Sequence, residues 1–289
     1  MTVVLPSRPV TSLDDYLLAG GGQGLETARK LGPDGIIDEL DRSGLRGRGG
    51  AGFPTGRKWH SVRSAGGRHH YAVANGAEGE PGTFKDRSIL RADPYQVVEG
   101  LAIAACAVEA QEVFIALKAS FTVEYERVLT AITEMESAGL LGSLSVAIVA
   151  GPEEYLFGEE KAMLEVIEGN EPLPRWLPPY VHGLFATAPQ LGWAGHEPEA
   201  GHSGMHESNP TLVNNVETLA NVTHVLARGS DWFRTLGTAE SPGTVVCTVV
   251  GDVERPGVTE VEMGTPLRTV LEAHGAPRPV AASKRCSTA

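Results

Sequence analysis

The sequence predicts an α/β protein in two unequal parts, a layered domain over residues 1–240 and an incomplete β-grasp domain over 241–289. Two observations carry this reading. Residues 112–117 and 144–150 are β-rich runs on either side of a helix-periodic stretch at 123–137, and that order of strand, helix and strand marks a crossover unit of a layered domain. Near Ser241 the pattern changes: residues 244–250 read as a strand, 251–257 hold turn signals, 258–263 alternate as a second strand and 266–274 read as a helix. Two strands and a helix begin a β-grasp sheet, and the chain ends at Ala289 before such a sheet closes.

The remaining elements follow in order. Residues 12–18 and 35–45 carry apolar side chains at helical spacing (Ile36, Ile37, Leu40, then Leu45), and Gly44 reads as a helix stop. A helix therefore feeds the glycine-rich stretch at 44–56. Residues 71–74 form a short strand candidate, and 94–110, apolar with Gly100 as its one interior glycine, read as a buried helix. Gly158 precedes a helix-period segment at 159–168 that ends at Gly169. From 170 to 209 the chain is rich in Pro, Gly and His without periodicity, a long loop; Asn214 and Asn215 then open a helix running to Leu226.

Composition removes several function classes. With 24 basic against 36 acidic side chains the net charge is −12, which argues against a general nucleic-acid role, since such proteins need clustered excess Lys and Arg. The longest apolar run, residues 101–108, falls far short of the roughly 20 residues that span a bilayer. Residues 1–9 lack the features of a secretory signal, so a cytoplasmic protein without direct membrane insertion is expected. Cys106, Cys247 and Cys286 have no Cys-x-x-Cys spacing, so neither a disulfide framework nor a zinc or iron–sulfur site can be written from them.

The motifs lie in the loops. Gly47-Arg48-Gly49-Gly50-Ala51-Gly52 contains G-x-G-x-x-G, whose glycines let backbone N–H groups approach a phosphate. It follows a helix rather than a strand, and no acidic residue stands about 20 positions on, so it is not an ordinary dinucleotide fingerprint. Phe53 inside the loop and Lys58 beside it suit a phosphorylated aromatic cofactor; the alternative is a tight turn with solvated cations. A second run, from Asn75 through Glu78, Glu80, Lys85 and Asp86 to Arg87, packs carboxylates, an amide and cations together. Gly158-Glu159-Glu160 stands at a helix N-terminus, where exposed amides favour negative groups, and Asn214-Asn215-Val216-Glu217-Thr218 opens another helix with two amide side chains.

These four motifs, in this order, resemble the flavoprotein subunit of respiratory complex I and its relatives in NAD-linked hydrogenases and formate dehydrogenases. The resemblance covers roughly residues 30–275, interrupted between about 181 and 208. It implies a Rossmann-like FMN-binding domain followed by a β-grasp domain, hydride transfer from NADH to FMN, and onward transfer to an iron–sulfur partner such as a thioredoxin-like two-iron subunit. The chain would then sit in an NADH-oxidising complex, peripheral on the inner face of the membrane through its partners. Carried over by position, Gly47, Arg48, Gly49, Lys58, Asn75, Glu78, Gly158, Glu159, Asn214 and Asn215 surround FMN, and Phe53, Glu80, Glu160 and Tyr180 contact the nicotinamide nucleotide. No side-chain acid or base is implied, because hydride transfer depends on stacking and alignment.

The sequence also departs from the family pattern. Ala77 stands where relatives carry Asp, Ser61 where they often carry an aromatic residue, and Leu177 and Tyr180 where they carry Lys and Phe. The cysteine ligands of the family's four-iron cluster are absent, which suggests a C-terminally truncated relative or, alternatively, a degenerate FMN-binding paralogue with a structural or assembly role. His182, His196, His202 and His206 with Glu197, Glu199 and Glu207 read as a solvated loop, and no metal is expected there.

Overall fold

The computed structural model describes residues 2–187 and 207–275. Its centre is a four-stranded parallel sheet in the order β3-β2-β1-β4, from β1 (Tyr71–Asn75), β2 (Glu112–Lys118), β3 (Ser145–Gly151) and β4 (Thr211–Asn215). The chain steps outward on one side of β1 through β2 and β3, then returns to the other side with β4. The strand order therefore reverses beside β1, and the crevice beyond the carboxyl ends of the strands at such a reversal is where ligands of open α/β sheets bind.

Alternate residues of the strands serve two different cores. Ala72, Ala74, Val113, Ile115 and Leu117 face the larger one, under α2 (Gln23–Ser43), α5 (Pro94–Val108) and α8 (Val216–Arg228). Val73, Phe114, Ala116 and Val213 face a smaller apolar cluster closed by Phe157, Met163, Leu164 and Leu184. Both faces of the sheet are covered, which is why its strands read as apolar runs.

Around this core stand α1 (Leu13–Leu18), α3 (Thr55–Ser64), α4 (Lys85–Ala92), α6 (Thr122–Ser137), α7 (Glu160–Ile167) and α9 (Ser230–Phe233). A second, two-stranded antiparallel sheet pairs β5 (Thr244–Val249) with β6 (Gly257–Glu262), and α10 (Leu267–Ala273) follows it.

Three expectations are corrected. The helix expected from residue 35 belongs to one that starts at Gln23, kinked where Gly32 takes φ 69° before Pro33. Gly44 does end it, in the left-handed conformation at φ 69° that glycine adopts without a Cβ penalty. Helices α3 and α4, whose residues read as parts of loop motifs, carry much of the polar chemistry. Finally, Asn214 and Asn215 close a strand, β4, before α8 begins; its identity comes from pairing with β1, from Tyr71 opposite Thr211 to Asn75 opposite Asn215. His196, His202, His206, Glu197, Glu199 and Cys286 lie outside the described residues.

Candidate functional site

A cavity of about 480 Å³ opens at the carboxyl ends of β1 and β4, within the size range of small-molecule and cofactor sites. Its first wall is the glycine loop. Gly47 N–H donates to Phe53 O and Thr55 N–H to Leu45 O, both at 2.9 Å, so the loop is pinched at its base, and Gly47, Gly49 and Gly52 line the cavity. Gly50 and Gly52 take φ of 127° and 61°, which the turn requires.

Helix α3 starts where the loop ends. Pro54 is its N-cap and supplies no side-chain acceptor, and the Thr55 hydroxyl, buried in the cavity wall, has no hydrogen-bond partner. One turn on, Lys58 Nζ reaches both carboxylate oxygens of Glu160 at 3.0 and 2.9 Å. An unsatisfied buried hydroxyl, a helix N-terminus and a partly exposed cation in one place suit an anionic group.

The second wall comes from β1 and the loop after it. Asn75 Nδ2 donates to Gly158 O at 2.8 Å and its Oδ1 accepts from Ala77 N–H, which fixes the amide. Glu78 accepts from the backbone N–H of Asp86 and from Arg87 Nε, at 3.1 and 3.2 Å. Arg87 is itself held between the rings of Phe84 and Phe121, 4.6 and 4.8 Å from their centroids. Glu80 accepts from Tyr155 Oη at 2.7 Å, and that bond and the nearby charge push the Tyr155 pKa up.

The floor is a charge cluster. Lys85 Nζ donates to Asp86 Oδ1 at 2.7 Å, Glu217 Oε2 at 2.9 Å and Asn215 Oδ1 at 3.2 Å, which uses all three ammonium protons. Burial works against the cation, but Asp86 and Glu217 outweigh it and hold the Lys85 pKa above the ordinary lysine value. Asn214 Oδ1 accepts from the buried Trp59 indole at 2.7 Å, and Asn215 Nδ2 donates to Asp86 Oδ2 at 2.8 Å.

All the residues expected at the cofactor site line this cavity except Arg48 and Tyr180. Arg48 is buried with its guanidinium turned away, donating to Thr244 O at 2.9 Å and Pro242 O at 3.1 Å. Tyr180 is half exposed, and neither it nor Leu177 or Ser61 is among the lining residues. Glu159 lines the wall, but its carboxylate accepts from Lys161 and Ala162 N–H at 2.9 Å, so the α7 N-terminus is capped from within and not open to an anion as the sequence suggested. Ala77, where the family pattern has Asp, lines the cavity and belongs to the buried apolar cluster of Val73, Phe157 and Met163.

Sequence reasoning assigned no role to Thr55, Lys85, Asp86, Tyr155 or Thr218, all of which line the cavity. Lys85 and Asp86 stand inside the polar run that begins at Asn75, and their spacing from Glu78 is the available signal. Among the described residues no group of side chains has the arrangement of a metal site, and no helix is long and apolar enough to cross a membrane.

Comparison with known proteins decides the family. The family described as "Nuo51 FMN-binding domain" matches residues 40–224, and the "SLBB domain" family matches residues 246–288. The chain belongs to the Nuo51 FMN-binding domain family. Among similar relatives of this family member are the second of two NADH-quinone oxidoreductase F subunits of Rhizobium meliloti, 40% identical over 279 residues, and the NADH-quinone oxidoreductase F subunit of Streptomyces coelicolor, 38% identical over 278 residues. These alignments cover 92% and 93% of this chain but 61% and 57% of the relatives, so the chain spans about three fifths of their length. A crystal structure of an NAD+-reducing [NiFe]-hydrogenase in the H2-reduced state contains a chain that superposes with TM-score 0.78 at 32% identity, over 93% of this chain and 44% of that one. The layered α/β fold is thus that of the Nuo51 FMN-binding domain, with the SLBB match falling on the second sheet.

Proposed function

We propose that this chain is the FMN-carrying, NADH-oxidising input module of a multisubunit oxidoreductase, with a first domain over 1–240 that holds the site and a second from 241. The observation that carries the reading is the meeting of the glycine loop, the unsatisfied Thr55 hydroxyl with Lys58, and the Asn75, Asn214 and Asn215 amides around one cavity at the strand-order reversal. Family membership and the relatives' names support it.

The donor set fits the cofactor. Lys58, the α3 N-terminus and Thr55 would hold the phosphate, and Gly47 and Gly49 leave room for close backbone approach. Asn75, Glu78, Asn214 and Asn215 would bind the polar parts of the flavin, each already oriented by a partner within the protein. When bound, FMN supplies the hydride acceptor.

What the protein contributes is alignment. Phe53, almost half exposed in the cavity lining, offers a ring face for the nucleotide, and Glu80 and Glu160 in the same lining offer hydrogen-bond acceptors. Onward transfer to an iron–sulfur partner, such as a thioredoxin-like two-iron subunit, and peripheral placement at the inner face of a membrane through partner subunits belong to the same proposal.

The test is anaerobic absorbance at the flavin band of protein prepared with FMN, before and after stoichiometric NADH. Bleaching is the expected outcome. Flavin that binds but stays oxidised would replace this reading with the alternative of a catalytically degenerate, structural paralogue, which the apolar setting of Ala77 favours.

A further inference from the structure

Strand β5 reaches three walls of the cavity without lining it. At its start, Arg48 of the glycine loop donates from Nε to Thr244 O at 2.9 Å, and from Nη2 to Pro242 O, two residues before the strand, at 3.1 Å. In its middle, Val246 N–H donates to Glu217 Oε1 at 2.8 Å, while the other oxygen of the same carboxylate accepts from Lys85 in the cavity floor at 2.9 Å. Towards its end, Thr248 Oγ1 accepts from the backbone N–H of Phe84 at 2.9 Å, immediately before the helix that carries Lys85 and Asp86. The backbone groups of 244 and 246 point to the same edge of the strand, the one away from β6, and Thr248 adds a contact through its side chain.

The two-stranded sheet is in turn anchored from behind. Glu260 on β6 accepts from the backbone N–H groups of Val3 and Leu5 at 2.9 Å and of Val4 at 2.9 and 3.0 Å, and from Thr244 Oγ1 at 2.5 Å. Arg48 and Glu217 are both buried, so neither can exchange these partners for water without leaving polar groups unsatisfied.

We propose that the second domain is a structural part of the cofactor cavity: β5 sets the glycine loop, the floor and the 78–86 loop, and Arg48, Glu217 and Thr248 are positioning residues that touch no ligand. A loop containing Gly47, Gly49, Gly50 and Gly52 has much backbone freedom to lose, and fixing it before the ligand arrives lowers the cost of binding. Arg48 fixes it at two points, through its guanidinium on β5 and through its backbone N–H, which donates to Thr218 Oγ1 at 2.9 Å. This inference rests on the FMN reading for its affinity measurement, but not for its exchange measurement.

The experiment uses the full chain and three variants, Thr248→Val, Arg48→Lys and Arg48→Met. FMN dissociation constants are taken from quenching of flavin fluorescence, and amide hydrogen exchange is followed in the cofactor-free proteins. Thr248→Val keeps the side-chain shape and loses one acceptor; about fivefold weaker FMN binding and faster exchange at residues 84–86 are expected. Arg48→Met should weaken binding roughly tenfold or more and speed exchange at residues 47–52, with Arg48→Lys, which keeps the charge but not the fork, between it and the wild type. FMN affinities and exchange rates equal to wild type in Thr248→Val and Arg48→Lys would overturn the proposal, even where Arg48→Met does not fold. A wild-type chain that binds no FMN would sink the flavin reading alone; exchange then decides the brace, and unchanged protection at 47–52 and 84–86 would refute it.

Discussion

Lys58 and Glu160 face each other across the cavity mouth, with Nζ 3.0 and 2.9 Å from the two carboxylate oxygens, joining the first turn of α3 to the first residue of α7. The pair is partly exposed, at 26% and 42% of side-chain surface, so it adds little to stability. Its importance lies in charge supply. The described cavity lining offers two cations, and Lys85 has every proton committed, which leaves Lys58 as the cation a phosphate can recruit.

Lys58→Ala should therefore weaken FMN binding by roughly ten- to a hundredfold, the range for losing one charge-assisted contact. The melting temperature of the cofactor-free protein should move by less than about 2 °C, since a partly exposed ion pair contributes about 1 kcal/mol at most. Fluorescence titration and a thermal scan check both halves. A variant that purifies with full flavin would remove Lys58 from the site.

Glu160→Ala has a different signature. Removing the carboxylate frees Lys58, so flavin content should hold or rise, while the nucleotide loses an acceptor at the cavity mouth. A Michaelis constant for NADH raised several-fold at unchanged flavin content is expected in steady-state kinetics. An unaltered Michaelis constant would place Glu160 outside the nucleotide site.

Gly100 marks a backbone contact between the two central helices. A Cβ there would stand 2.1 Å from Leu219 O and 2.6 Å from its carbonyl carbon, both backbone atoms that cannot swing aside. Alanine favours the helix by about 1 kcal/mol over glycine, but forcing α5 and α8 apart costs more. Gly100→Ala should lower stability by about 2–4 kcal/mol in denaturant unfolding. A variant as stable as the wild type would show that the helices can separate without loss.

Much of this was legible in the sequence because the chemistry is local. The glycine loop, the Glu78–Glu80 run and the paired asparagines each announce polar groups within a few residues of one another, and the β-rich runs at 112–117 and 144–150 mark β2 and β3. What escaped depends on distant partners. β4 is only five residues long and ends in two asparagines, so β1 beside it, not its own pattern, makes it a strand. Arg48 shows its charge in the sequence but not its direction, which is set by carbonyls almost 200 positions away, at the start of β5 and two residues before it. Lys85 looks like a solvated lysine until Glu217, 132 positions on, closes over it.

The last prediction concerns pH. Asp93 caps α5, accepting from Tyr95 and Gln96 N–H at 3.1 and 3.4 Å, yet burial raises its pKa from 3.8 to about 6, against the pull of those amides and of Arg127 and with a small push from Glu99. The folded state thus binds this proton more tightly than the unfolded one. The contribution of Asp93 is full below pH 3.8 and is lost as pH rises through about 6. Asn keeps the capping oxygen without the buried charge. Asp93→Asn should leave the melting temperature unchanged below pH 4 and raise it by roughly 3–8 °C at pH 7, the gap opening between those values. His224 lies nearby, its Nε2 3.1 Å from Gln96 Oε1, and burial, with Arg228 adding, lowers its pKa from 6.5 to about 4. Its contribution has the opposite sign, present above pH 6.5 and lost as pH falls through about 4. It titrates in wild type and variant alike, so the difference between the two melting curves isolates Asp93. A difference that stays constant across pH would mean that Asp93 is ionised throughout and that its cap outweighs its burial.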